Sequence, residues 1–193
     1  MIDAGIGRVL VASLHQAIAD LLPTRLEFYE SWINPAGMRN GRIGLAPVAA
    51  VLSFLRQEGP PYQLVSARAG EYTAEWTVAG LSRVHHAILR AAPPSLRLRL
   101  VARVGRRMIR HTYRGSRVTV RWQKGRCSMD IRESIFCGVR DRVEQPLCEF
   151  YAAALRRLTS LFDLDVEAAA EQCRGTGASH CVMTMRMRPG RAV

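Results

Sequence analysis

The chain has 193 residues, 48% apolar and 23% charged, with a formal net charge of +12. That length supports one domain with a substantial core and is barely enough for two; the composition is that of a soluble globular protein. No uncharged apolar run reaches 18 residues, which excludes a spanning helix, and Met1 to Val11 lacks the basic head and apolar core of a secretory signal, so the expected location is cytoplasmic.

Ile6 to Leu22 carries apolar residues at Ile6, Val9, Leu10, Leu14, Ala17, Ile18 and Leu21, close to helical period, with Pro23 as a stop. Asn34 to Gly44 is rich in turn dipeptides and reads as a loop. Leu45 to Gln57 is a second short helix, opened by Pro47 in its first turn and closed near Gly59-Pro60-Pro61. Tyr62 to Ala91 reads as one long helix, interrupted or kinked around Gly80. Ser95 is placed to cap a fourth helix that runs to about His111.

That fourth helix carries the densest basic run: Arg97, Arg99, Arg103, Arg106, Arg107 and Arg110. Among the 28 basic residues Lys124 is the only lysine, a skew that GC-rich coding explains better than selection for a nucleic-acid interface. Most of the run is expected to be a solvated helix face. The charge favours an acidic partner or a membrane surface over nucleic acid.

After Gly115 the period changes. Val118, Val120 and Trp122 alternate with polar residues as a half-buried strand, and Lys124-Gly125 turns into a second alternating run at Cys127, Met129 and Ile131. Gln145 to Phe162 returns to helical spacing. Leu164 to Glu171 and His180 to Met187 form another strand pair around Arg174-Gly175-Thr176-Gly177, and the tail from Pro189 is expected to fray. The predicted fold is α+β: a mainly helical part over residues 1–114, then a β-β-α-β-β antiparallel module over 115–188, in a single domain of 1–193.

All five cysteines lie in that module, at Cys127, Cys137, Cys148, Cys173 and Cys181, and without an export signal a disulfide framework is not expected. Cys173 and Cys181 flank a hairpin loop whose two glycines permit a tight reversal. Cys148 follows Pro146 at a helix start, where unsatisfied N–H groups and the helix dipole favour thiolate. Three converging thiolates suit zinc, which takes four ligands in a closed structural site; Glu171, His180 and Cys137 are candidates for the fourth. Two other readings stand beside it: buried cysteines packed as small hydrophobes, and a redox disulfide between Cys173 and Cys181.

The order Phe136-Cys137, then Pro146-Leu147-Cys148-Glu149-Phe150-Tyr151, then Cys173-x-x-x-Gly177-x-x-x-Cys181 resembles the 4-vinyl-reductase domain family, sharply over about 50 residues and diffusely over the preceding 80. With no further domain attached, the stand-alone members of bacteriochlorophyll biosynthesis are the nearer likeness. The resemblance implies a fold enclosing an apolar pocket, related to vesicle-tethering subunits. In the sensor members it implies a zinc site on cysteines matching Cys148, Cys173 and Cys181, with a glutamate three residues before the hairpin. Here that position holds Ala170, and Glu171 follows one residue later. On a strand, that shift turns the side chain to the other face.

For a flat ligand, His85, His86 and His111 are candidate axial ligands to a tetrapyrrole magnesium, and Tyr72, Trp76 and Trp122 candidate stacking surfaces. Helix-surface histidines and ordinary core packing explain the same residues. No G-x-G-x-x-G occurs, and no nicotinamide or flavin site is recognisable. The functional expectation is therefore a protein that binds a hydrophobic small molecule, a chlorophyll precursor, and assists bacteriochlorophyll biosynthesis. The alternatives are an 8-vinyl (4-vinyl) reductase of chlorophyllide, and a sensor or scaffold acting through a protein partner in pigment biosynthesis or as a homodimer.

Overall fold

The computed structural model describes residues 5–34, 36–37, 43–123 and 125–188. Most of the expected Asn34–Gly44 loop, Lys124 of the expected turn, and the tail from Pro189 fall outside them.

Helix α1 (Arg8–Leu21) buries Leu10, Leu14, Ala17 and Ile18 along one stripe. Pro23 ends it and opens a 3-10 turn (Pro23–Arg25), which leads into a short helix, α2 (Leu26–Glu30), that the sequence pattern does not announce. Helix α3 (Leu45–Gln57) has the expected limits and buries Val48, Val51, Leu52 and Leu55.

The long helix expected from Tyr62 to Ala91 is two helices, α4 (Pro61–Ala79) and α5 (Arg83–Ala91). Gly80 stops the first. Ser82 starts the second, because its hydroxyl accepts the His85 backbone N–H (3.4 Å), a cap that favours termination over a kink. Helix α6 (Pro94–Thr112) begins one residue before Ser95, so Ser95 is not its cap; Pro94, with φ preset for the first turn, takes the start. Helix α7 (Glu149–Ser160) completes the helical layer.

Helix α4 is buried on several sides, through Tyr62, Val65, Ser66, Ala69, Gly70, Thr73, Ala74 and Val78. It is the central helix, packed against α1 and α7. Small residues permit this closeness: a Cβ on Gly70 would lie 2.2 Å from the Phe150 carbonyl oxygen of α7.

Strands β1 (Arg117–Gln123), β2 (Arg126–Arg132), β3 (Val166–Gln172) and β4 (Cys181–Met187) form one antiparallel sheet in the order β1-β2-β4-β3. The register places Val120 opposite Met129, Met129 opposite Met183, and Cys127 opposite Met185. These residues share the sheet's inner face, covered by α6 and α7. The outer face carries Arg121, Arg126, Ser128, Thr184 and Arg186. The α+β class and the helices-then-β-β-α-β-β order are as the sequence predicts. One hydrophobic core runs from α1 through the sheet. Among the described residues, no helix is long and apolar enough to cross a membrane.

Candidate functional site

Between β2 and α7 the chain makes a 3-10 turn, Ile135–Cys137, and then an irregular run to Cys148. Side chains from the helical half hold this segment. Arg56 donates to the Phe136 carbonyl (3.2 Å), Tyr62 to that of Leu147 (3.0 Å) and Gln63 to that of Pro146 (3.0 Å). Phe136 stacks on Phe150 at 4.4 Å between ring centroids. Cys137 and Cys148 are thereby fixed from α3, α4 and α7.

Cys173 and Cys181 come from the opposite side, as the ends of β3 and β4. Between them Arg174–Thr176 makes a 3-10 turn closed by Gly177 at φ 101°, a left-handed conformation that suits glycine. The four sulfurs meet. Cys137 Sγ lies 3.1 Å from that of Cys148, 3.4 Å from Cys173 and 3.5 Å from Cys181, and Cys148 lies 3.4 Å from Cys173. All four lie within 4.8 Å of one another and all four residues are buried.

This arrangement fits a metal ion. A tetrahedral zinc with bonds of about 2.3 Å has sulfur–sulfur edges of about 3.8 Å, slightly wider than these four distances and inside the 4.8 Å span of the cluster. Two backbone N–H groups already point at the sulfurs: Leu147 donates to Cys173 (3.3 Å) and Arg174 to Cys181 (3.5 Å). Such donors stabilise thiolate charge around a metal. The four cysteines could therefore hold a metal ion, with no coordination position left open.

Without a metal the charge is unevenly shared. Hydrogen bonds from Cys137, Cys148 and Cys181, with the Leu147 N–H, hold the Cys173 thiol far below its ordinary range. Cys148 and Cys181 are pushed up, each chiefly by its hydrogen bond to Cys137. Cys137 is lowered as well, first by its hydrogen bond to Cys148. Cys148 is the N-cap residue of α7, but its side chain makes no capping bond, and its sulfur faces the other sulfurs.

Of the candidates for the fourth position, Cys137 joins the cluster; Glu171 and His180 do not. A bulge between Ala170 and Gln172 leaves Glu171 on the exposed outer face, where it pairs with Arg126. Ala170 keeps the inward position. His180 bonds its neighbour Ser179 (2.8 Å). Cys127, on the inner face of β2, stands apart from the four sulfurs.

A second feature lies in the helical half. A cleft of 720 Å³ opens between α1, the end of α4, the start of α5 and α6. Its floor is apolar, with Leu10, Leu81, Val104 and Met108; its rim carries Arg8, Arg103, Arg107, His85 and His111. Of the residues proposed for a flat ligand, the structure brings His85 and His111 here. His86 instead contacts the Val78 carbonyl (3.0 Å) and packs on Phe162. Tyr72 stacks on Trp76 at the surface and bonds Asp20 and Arg68. Trp122 lies under the Arg99 guanidinium, at 5.7 Å. Sequence reasoning missed Leu81, Val104 and Met108, and treated Arg103 and Arg107 as solvated face. The one signal available was the run of arginines on a helix whose opposite face is apolar.

Residues 127–187 match the family model of the 4-vinyl-reductase domain. The match begins in β2, ends with β4 and contains Cys137, Cys148, Cys173 and Cys181, in agreement with the resemblance carried by those residues. No curated protein matches the sequence. The fold is that of H-NOX proteins. An unliganded Fe(II) H-NOX protein from K. algicida aligns with TM-score 0.61 at 10% identity, over 97% of this chain and 100% of that one. An H-NOX protein from S. oneidensis in the Fe(II)NO ligation state aligns with TM-score 0.59 at 10% identity, over 95% and 100%. A trafficking protein particle complex subunit 3 from Naegleria fowleri, covalently bound to palmitic acid, aligns with TM-score 0.49 at 15% identity, over 93% and 96%.

Proposed function

We propose that this chain binds a hydrophobic small molecule in the cleft between α1, α4, α5 and α6, and that its four-cysteine cluster is a structural zinc centre. The observation that carries the reading is the separation of the two features. The cluster is buried and offers four sulfurs, which fill a tetrahedral shell and leave no place for a substrate. The cleft is open, apolar at its floor and polar at its rim, and of a size suited to a small organic ligand. Zinc at Cys137, Cys148, Cys173 and Cys181 would cross-link the end of β2, the start of α7 and the hairpin between β3 and β4, with Leu147 and Arg174 supplying N–H donors to the sulfurs.

For the ligand we propose a tetrapyrrole precursor of (bacterio)chlorophyll. The resemblance to the 4-vinyl-reductase domain family, which includes the bacteriochlorophyll-biosynthesis protein BchJ, supports this, as does the presence of His85 and His111 at the cleft, where a neutral imidazole is a metal ligand. The protein's part is to bind, orient and shield the pigment.

Titration of divinyl chlorophyllide into purified protein tests this. A saturable change in the pigment's absorption at about one equivalent, weakened in a His85→Ala/His111→Ala variant, is expected. An unchanged spectrum throughout the titration would refute the assignment. Elemental analysis tests the metal separately: about one zinc per chain is expected, and less than about 0.2 would sink the zinc proposal.

A further inference from the structure

Beside the cleft lies a second hollow, of 560 Å³, lined by Arg103, Arg106, Arg107, Arg110, His111 and Arg114. Every lining residue is basic and none carries a carboxylate. The arginines of α6 at 103, 106, 107 and 110 follow i, i+3, i+4, i+7 spacing, which gathers them on one flank of the helix. Other arginines of this protein are neutralised, as with Arg157 on Glu75 and Arg121 on Asp130, both at 2.7 Å. Among the described residues, none of the six in the hollow takes part in an ion pair.

Like charges so close repel one another, and the fold gains nothing from them without a counter-charge. The two hollows also share Arg103, Arg107 and His111, so one molecule can occupy both. We infer that the ligand is an anionic amphiphile: its apolar body lies in the cleft over Leu10, Val104 and Met108, and a multiply charged group, carboxylates or phosphates, is held by Arg103, Arg106, Arg107 and Arg110. Guanidinium groups suit this task because each presents paired donors that match the two oxygens of a carboxylate or phosphate. This deepens the cleft reading above and rests on it; it adds the charge class of the ligand and the residues that read it.

Matched pairs of ligands test the inference on the full chain. Protoporphyrin IX is compared with its dimethyl ester, and farnesyl diphosphate with farnesol, so that each pair shares a body and differs in charge. Inorganic pyrophosphate serves as the head group alone. In calorimetric or fluorescence titrations at low salt, one charged member should bind about tenfold or more tightly than its uncharged partner, and that advantage should shrink as salt is raised. An Arg106→Gln/Arg110→Gln variant, which leaves the lining of the cleft unaltered, should lose most of the advantage while binding the uncharged member as before. Arg117→Gln, on β1, should keep it. Charged and uncharged members binding alike would overturn the inference and leave the cleft reading intact. Pyrophosphate binding as tightly as the diphosphate would overturn the amphiphile. Failure of all of these ligands to bind would overturn both readings.

Discussion

Cys127 and Cys137 are both buried, yet only Cys137 has other cysteine sulfurs beside it. Cys127 sits among methionines on the inner face of β2, and burial alone pushes its thiol up to about 12. It should therefore behave as a small hydrophobe. Cys127→Ala is expected to leave zinc at about one per chain. Serine at Cys137, Cys148, Cys173 or Cys181 should reduce zinc below about half and cost at least about 3 kcal/mol, or on the order of 10 °C in Tm. A chelator that strips the metal should expose four thiols to a thiol reagent, with Cys127 reacting only on global unfolding. A Cys137→Ser protein that retained full zinc would show that the fourth ligand lies elsewhere. The sequence brought Cys148, Cys173 and Cys181 together through the hairpin and the helix start. It left Cys137, Glu171 and His180 open, because the fourth position depends on the loop between β2 and α7, which has no periodicity. Strand register settled Glu171 alone: Ala170 holds the inward position, and Glu171 faces Arg126.

At the scale of elements, α4 and α7 cross with their backbones in close approach. Gly70 faces the Phe150 carbonyl and the Ala154 N–H, and Ala152, Ala153 and Ala154 are all buried on α7. Gly70→Ala gains about 1 kcal/mol in helix propensity, but its methyl would lie 2.2 Å from a backbone oxygen that cannot move without displacing α7. The clash wins. A net loss of about 2 kcal/mol or more is expected in denaturant unfolding. Gly80→Ala is the control, because its nearest neighbour would be 3.5 Å away, and a change within about 0.5 kcal/mol is expected there. Equal effects at the two sites would mean that the α4–α7 distance does not constrain the fold. The glycine at 80 was legible as an interruption, but the separation of α4 from α5 depended on Ser82 turning its hydroxyl to the His85 N–H. A single serine in a polar stretch does not announce that bond. Helix α2, five residues long, is too short to show a period at all.

At the scale of the whole molecule, the cleft draws its walls from α1, α4, α5 and α6, and no local pattern in the sequence encodes such an assembly. The hydrophobic core has a different consequence, carried by three buried phenols. Burial, reinforced by the Glu58 carboxylate, pushes Tyr29 up to about 12, and burial pushes Tyr62 and Tyr151 higher still. In the unfolded chain each phenol ionises near pH 10. Between those values the unfolded state releases protons that the folded state must keep, so rising pH favours unfolding. The stabilisation is complete below about pH 10 and is lost as pH climbs through 12, at about 1.4 kcal/mol per pH unit for each phenol held neutral. Denaturant midpoints of the protein should thus be nearly level from pH 8 to 10 and fall steeply between about 10 and 11.5. Tyr62→Phe separates this effect from general alkaline damage. It should lose about 1 kcal/mol at pH 8, where the bond to the Leu147 carbonyl is missing, and show a shallower alkaline slope because one phenol no longer titrates. An unchanged slope in that variant would assign the alkaline loss to groups other than the buried tyrosines.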